Sequence, residues 1–92
     1  MAKTRYIKLG NIKIPVKFVR LLDSAGAYEE HTATIYIDEA LDPRLVPQTI
    51  FHELLHAIST CYGLELSEQC IRILEMALFP VIKQHQWLFE EL

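Results

Sequence analysis

Apolar and polar side chains alternate along the first part of the chain. The alternation runs through residues 6–9, breaks at Gly10 and Asn11, and resumes through residues 12–19. Because neighbouring side chains on a strand point to opposite faces, this pattern predicts a β-hairpin over residues 5–20 with one buried face. Pro15 has no N–H, so we expect it at an edge or at a position without a ladder hydrogen bond.

A further strand is predicted over residues 32–37, where most side chains are β-branched or aromatic. Residues 21–30, which precede it, show no regular pattern, and Ser24, Ala25 and Gly26 indicate a turn there. The first part of the chain is therefore predicted to contain a hairpin and one additional strand.

The next segment carries helix signals. Asp42 is a good capping residue with a proline after it, and Pro47 repeats the proline signal of a first helical turn. Gly63 indicates where the helix ends. These signals predict a helix over about residues 47–60.

A second helix is predicted over about residues 67–86. Ser67 is a good N-cap, and apolar side chains follow at helical spacing. Pro80 should kink or interrupt this helix, since its ring excludes a backbone hydrogen bond. Strands followed by two helices predict a single domain over residues 1–92 of the α+β class, with a small antiparallel or mixed sheet packed on a helical hairpin.

Composition narrows the classes of function. The 92 residues are 51% hydrophobic, which suffices for a core, and the net charge of −3 argues against a nucleic-acid-binding surface. No apolar run reaches the roughly 20 residues of a membrane span, and the first residues lack the apolar run of a signal peptide. With only two cysteines, we expect a cytoplasmic protein with reduced thiols and no membrane partner.

Residues 52–56 carry the strongest chemical signal, reading His-Glu-Leu-Leu-His. On a helix, His52 and His56 lie one above the other on one face, so two imidazoles can bind one metal ion. Glu53 lies about 100° around the helix from His52, beside the ion, where a general base could take a proton from water. Zinc suits this arrangement, because it accepts imidazole ligands and leaves a position open to water when only three protein groups bind it.

The composition of the helix face supports a metal site over a solvated surface. A surface face usually carries lysine or arginine, yet neither occurs between Arg44 and Arg72. The polar side of the predicted helix instead holds residues of a kind that can line a cleft, namely Gln48, Thr49, His52, Glu53, His56, Ser59 and Thr60.

With this motif the sequence resembles the zincin metallopeptidases. Residues 49–58 are similar to the active-site helix of small phage and bacterial enzymes of the ImmA/IrrE type, and the resemblance covers roughly residues 28–80. It implies one zinc ion per chain, bound by His52 and His56, with Glu53 as the catalytic base. It also implies that residues 34–38 form the edge strand of the cleft and that a glutamate on the following helix is the third ligand.

Two glutamates are candidates for the third ligand. Glu68 matches the Glu-x-x-hydrophobic start of the corresponding helix in the small zincin families, and Glu75 should lie opposite His52 in a simple helical hairpin. We favour Glu68. His85 is a remote alternative, and the metzincin pattern is excluded because positions 59 and 62 hold Ser59 and Tyr62.

Other residues that could take part in chemistry have simpler interpretations. Tyr36 and Tyr62 could donate a hydrogen bond to a developing oxyanion, although we expect ordinary half-buried tyrosines. Cys61 and Cys70 are expected to be small buried thiols, and His31 an exposed residue. The late apolar group of Trp87, Phe89 and Leu92 is expected to pack back on the core.

The sequence thus predicts zinc-dependent hydrolysis of peptide bonds, with a peptide or protein substrate lying beside residues 35–37 at the sheet edge. Two alternatives remain open. The domain could bind zinc without proteolysis and act as an interaction module, or it could be a phage or mobile-element regulator whose one substrate is a repressor.

Overall fold

The computed structural model describes residues 4–90 and has the α+β architecture that the sequence predicts. Its strands are β1 (Arg5–Leu9), β2 (Ile12–Val19), β3 (Gly26–Glu29) and β4 (Thr34–Asp38). Its helices are α1 (Val46–Cys61) and α2 (Glu68–Gln84), with short 3-10 turns at Pro43–Leu45 and Gln86–Phe89. Both predicted helices are present, within a few residues of their expected bounds.

The four strands form one mixed sheet in the order β1-β2-β4-β3. The predicted hairpin is confirmed: β1 pairs antiparallel with β2 across the turn at Gly10 and Asn11. β2 then pairs parallel with β4, beginning at Val16, while β3 pairs antiparallel with β4. Pro15 lies one residue before that parallel pairing begins, so its missing N–H removes no bond to β4.

β4 is an interior strand, so the expectation that residues 34–38 form the edge of the cleft is wrong. The edge strand on that side is β3, from the segment without a regular pattern. Its sequence, Gly-Ala-Tyr-Glu, has low intrinsic strand propensity in three of four positions. Tertiary contacts therefore determine this strand, through its pairing with β4 and its packing against α1.

One face of the sheet packs against α1. Ile14, Val16, Ile35 and Ile37 alternate onto that face and are at most 2% exposed, and Ala57 of α1 is fully buried against them. Alanine at this position allows the helix backbone to approach the sheet closely. The sheet thereby determines where α1 lies, and with it the polar face of α1.

α2 packs mainly against α1, with Ile71 fully buried and Phe51 and Phe79 in contact at a ring-centroid distance of 5.7 Å. Of the two expected effects of Pro80, an interruption does not occur, because the helix continues to Gln84. Pro80 removes a bond to the carbonyl of Met76, and both residues are exposed, so water can replace it.

The expected return of the late apolar residues to the core is also wrong in the part described. Trp87 is 62% exposed and Phe89 is 52% exposed. The sheet face is already covered by α1, and this 3-10 turn packs mainly against α2. Leu92 lies outside the described residues. Within residues 4–90, no helix combines the length and the apolar character needed to cross a membrane.

Candidate metal centre

His52 and His56 lie on consecutive turns of α1, on the side that faces α2. Their ring centroids are 5.1 Å apart, and their side chains are 21% and 31% exposed. The four-residue spacing predicts this proximity, because the side chains of such residues lie above one another on a helix. Both imidazoles therefore open into the same small space between the two helices.

Glu68 completes a three-residue cluster with these histidines. One carboxylate oxygen lies 3.1 Å from Nε2 of His52, and the other lies 3.1 Å from Nε2 of His56. One ligand atom from each of the three residues lies within 4.8 Å of the others. Tetrahedral zinc places neighbouring ligand atoms about 3.3 Å apart, so the cluster has dimensions that fit a single ion.

Glu75 contacts the same histidine through its other nitrogen. Its Oε1 lies 2.6 Å from Nδ1 of His52, and its Oε2 accepts a hydrogen bond of 2.6 Å from the side-chain amide of Gln48. Glu75 thus lies opposite His52, as hairpin geometry predicts, but it faces Nδ1 rather than the space between the histidines. A carboxylate in this position selects the tautomer that leaves Nε2 free to bind a metal.

The number of N–H groups that His52 can offer its two carboxylate neighbours also favours a cation in this cluster. A neutral imidazole carries one N–H, whereas both nitrogens of His52 lie within 3.1 Å of a carboxylate oxygen. One of the two contacts can be an N–H donating to Glu75. The contact with Glu68 then places a lone pair against a carboxylate, which requires a second proton or a metal ion between them.

Glu53 lies next to the cluster and is buried, with 7% of its surface exposed. Burial raises the pKa of its carboxyl above the ordinary value, and the negative charges of Glu68 and Glu75 raise it further, against the opposing effect of the two histidines. Within residues 4–90 no side chain donates a hydrogen bond to its carboxylate, and its oxygens open into the adjoining pocket, since no fully enclosed side-chain oxygen there lacks a partner. A buried carboxylate with a raised pKa and no partner has the properties of a proton acceptor.

The connection between the helices fixes the position of Glu68. The hydroxyl of Ser59, which is 8% exposed, accepts a hydrogen bond from the backbone N–H of Leu66 at 2.8 Å. Gly63 adopts a φ of +64°, which ends α1 at little cost. The hydroxyl of Ser67 then accepts from the backbone N–H of Cys70 at 3.1 Å, capping α2 as the sequence predicts. Glu68 consequently lies in the first turn of α2.

A pocket of about 260 Å³ opens beside the cluster. Its lining joins three residues of α1 to two from the first part of the chain, and consists of Tyr28, Glu30, Glu53, His56 and Thr60. Sequence reasoning did not identify Tyr28 or Glu30 as site residues. No local signal indicates them, because Tyr28 belongs to the edge strand and Glu30 to the turn after it, and only the sheet pairing reveals that strand.

Gly26 brings this edge strand close to α1. A Cβ at position 26 would lie 2.8 Å from Cγ2 of Thr49 and 3.3 Å from Cγ of Glu53. Contacts of the first length do not occur between real side chains, so only glycine allows this approach. The role of Gly26 also lay outside the sequence prediction, which assigned it to a turn.

The two tyrosines considered as oxyanion donors are remote from this pocket. Tyr36 alternates with Ile35 and Ile37, which face α1, so its side chain lies on the opposite face of the sheet. The hydroxyl of Tyr62 lies beside Gly10, where a Cβ would be 2.9 Å away. Tyr36 is half-buried as expected, whereas Tyr62 is exposed, and the tyrosine that lines the pocket is Tyr28.

The remaining candidates also lie outside the cluster. Cys70 is exposed, so the expectation that both thiols are buried is wrong. Cys61 is half-buried, and its sulfur lies 3.8 Å from the hydroxyl of Tyr28. His85 contacts a backbone carbonyl one turn earlier in its own helix, and His31 is exposed as expected.

No protein-family model, curated protein or solved structure matches the chain. The assignment of a function therefore rests on the residues and geometry of the site.

Proposed function

We propose that the protein is a zinc-dependent peptidase in which His52, His56 and Glu68 bind the metal. The observation that carries this proposal is the cluster itself, three ligand atoms within 4.8 Å of one another beside a buried carboxylate. Zinc bound there would polarise a substrate carbonyl and make a water molecule acidic at neutral pH. The order of the residues along α1 supports Glu53 as the group that moves the proton.

Glu53 is proposed as the general base. Its carboxylate lines the pocket beside His56, and no side-chain hydrogen bond within residues 4–90 competes for its lone pairs. It takes a proton from the attacking water and can return that proton to the amine that leaves. Glu75 has a supporting part, because its bond to Nδ1 of His52 holds the imidazole in the orientation that ligation needs.

The edge strand β3 offers a place for an extended peptide. Within residues 4–90, its outer side pairs with no further strand, and its residues Gly26 and Tyr28 lie against the side of α1 that carries Glu53. A peptide added to this edge would run past the pocket, with its backbone hydrogen-bonded to β3. This replaces the expected position beside residues 35–37, which lie in an interior strand.

The test combines metal analysis with one substitution. Protein purified without added metal should contain one zinc per chain, and the analysis should include iron, which binds a similar ligand set. Glu53→Gln should retain the zinc and lose hydrolysis of a mixed peptide pool, because the amide cannot accept the proton. Absence of zinc uptake, or equal hydrolysis by the Glu53→Gln variant, would contradict the proposal.

A zinc-binding interaction domain without proteolysis is the second candidate. The outer side of α2 favours it, because apolar side chains are exposed there, including Ile73 (52%), Met76 (70%) and Val81 (41%). This candidate predicts zinc in the purified protein and no hydrolysis by the unmodified chain. The experiment above therefore separates the two candidates.

A further inference from the structure

The pocket beside the metal cluster carries a charge that the peptidase proposal does not use. Glu30 lines it from the turn after β3, opposite residues of α1. Its neighbour Glu29 is occupied in that turn, where it accepts bonds from the backbone N–H of His31 and from both the N–H and the hydroxyl of Thr32. Within residues 4–90, Glu30 forms no ion pair with a basic side chain, so its charge remains available to a ligand.

The site and its pocket retain a net negative charge when a bound zinc ion is included. The carboxylates of the site and its pocket number four, namely Glu30, Glu53, Glu68 and Glu75. They exceed the two positive charges of a zinc ion by two. Arg72 lies 3.6 Å from Glu68 and is the only arginine or lysine within ion-pair distance of these groups among residues 4–90. With the positive charge of Arg72 included, the net charge is about minus one.

The shape and the neutral walls of the pocket suit a long side chain. Tyr28 and Thr60 complete its lining, and its volume is about 260 Å³. Burial and the bond to Cys61 raise the pKa of Tyr28 to about 12, so its hydroxyl is uncharged and can donate or accept a hydrogen bond. Glu53, buried and without a side-chain partner, faces the same space. An aliphatic stem with a cationic end can contact such walls and still reach Glu30.

We propose that this pocket binds a lysine or arginine side chain of the substrate, at one of the two positions that flank the scissile bond. The inference rests on the proposed peptidase function, because the pocket shares His56 and Glu53 with the reacting centre. It specifies a substrate class, peptides with a basic residue at the cleavage site. The charge of Glu30 is the specificity determinant, and the metal ligands are not part of the preference.

Cleavage of a complex peptide library, read by mass spectrometry, tests the preference on both sides of the bond. The unmodified protein should cut next to lysine or arginine. Glu30→Gln should reduce that preference about fivefold, the effect expected of one partly exposed ion pair, and Glu30→Lys should shift it toward acidic residues. The matched control is Glu39→Gln, which removes an exposed carboxylate outside the pocket and should leave the preference unchanged.

Binding provides a readout that does not depend on turnover. Peptide hydroxamates with lysine or norleucine on either side of the zinc-binding group differ only in the terminal ammonium. Calorimetry on zinc-loaded protein should show tighter binding of one lysine compound, with the difference lost in Glu30→Gln and smaller at high salt.

The outcomes separate the two proposals. Cleavage without a basic preference overturns the pocket assignment and leaves the peptidase standing. A lysine preference in binding without any cleavage supports the pocket and overturns the peptidase. Failure of every hydroxamate to bind the zinc-loaded protein overturns both.

Discussion

Replacing Glu75 with glutamine tests how the site is built, because the change removes one charge and leaves the shape almost unaltered. In the structure, one carboxylate oxygen of Glu75 faces Nδ1 of His52 and the other accepts from the amide of Gln48, both at 2.6 Å. A glutamine has a single acceptor oxygen. It can still accept from His52 while its N–H₂ donates to Gln48, if the amide of Gln48 turns its own oxygen toward it, so the main loss is the negative charge beside His52.

The loss of zinc affinity expected for Glu75→Gln can be estimated in two independent ways. A hydrogen bond to a charged group contributes about 1.5–3 kcal/mol, and the Glu75 side chain is only 17% exposed, so water screens this bond little. Loss of a carboxylate that orients a metal-binding histidine weakens metal affinity by about 10- to 100-fold. That range corresponds to about 1.4–2.7 kcal/mol, in agreement with the first figure. We therefore expect Glu75→Gln to raise the zinc Kd by about 10- to 100-fold.

Competition with a chromophoric zinc chelator measures this change directly. Glu68→Gln should raise the Kd further than Glu75→Gln does, because it removes a ligand rather than an orienting partner. The double variant Gln48→Glu/Glu75→Gln should recover part of the lost affinity, since a carboxylate at position 48 restores a negative charge near His52 and can accept from the new amide. Circular dichroism of each variant confirms that the helices are intact.

Two results would refute this reasoning. An unchanged zinc Kd in Glu75→Gln would mean that the bond to Nδ1 does not support ligation. A larger loss in Glu75→Gln than in Glu68→Gln would exchange the two roles and make Glu75 the ligand.

Three further variants probe the surroundings of the site. Gly26→Ala should destabilise the fold by about 1–3 kcal/mol in urea unfolding and lower hydrolysis by displacing Glu53. Adding Thr49→Ser should restore both stability and hydrolysis, because it removes the methyl group 2.8 Å from the new Cβ, and no recovery would disprove the steric cause. Ser59→Ala should cost about 1–2 kcal/mol and weaken zinc binding, since the N–H of Leu66 loses its acceptor; unchanged zinc affinity would show that this bond does not position α2. Thermal unfolding of the metal-free Glu53→Gln variant should show the same stability as the unmodified protein or a higher one, because burial disfavours the charge that the substitution removes. A clear loss of stability would contradict this explanation.

The features that the sequence predicts well are those set by local spacing. The helix that carries His52 and His56 follows from capping residues, prolines and a four-residue repeat, all within one segment. The hairpin of β1 and β2 follows from alternation on both sides of a turn. In both cases the neighbours in space are also neighbours in sequence.

The features that escaped prediction depend on contacts between distant segments. β3 forms because it pairs with β4 and packs against α1. The local sequence around Tyr28 and Glu30 therefore does not indicate that they line the pocket. The choice between Glu68 and Glu75 depends on how two helices approach each other, and their heptad spacing places both on the same side of α2. Only the three-dimensional structure shows that Glu68 faces Nε2 of His52 and Glu75 faces Nδ1.

The two halves of the chain contribute to the site in different ways, and this has an evolutionary consequence. The groups proposed to hold a metal and move a proton all come from α1 and α2, whereas Tyr28 and Glu30 come from the edge strand and the turn after it. Mutations in that turn can change which side chain is accepted without altering the ligand set. On the proposed function, substitutions in a short exposed segment would change the substrates of the protein while the metal-binding residues stay under separate selection.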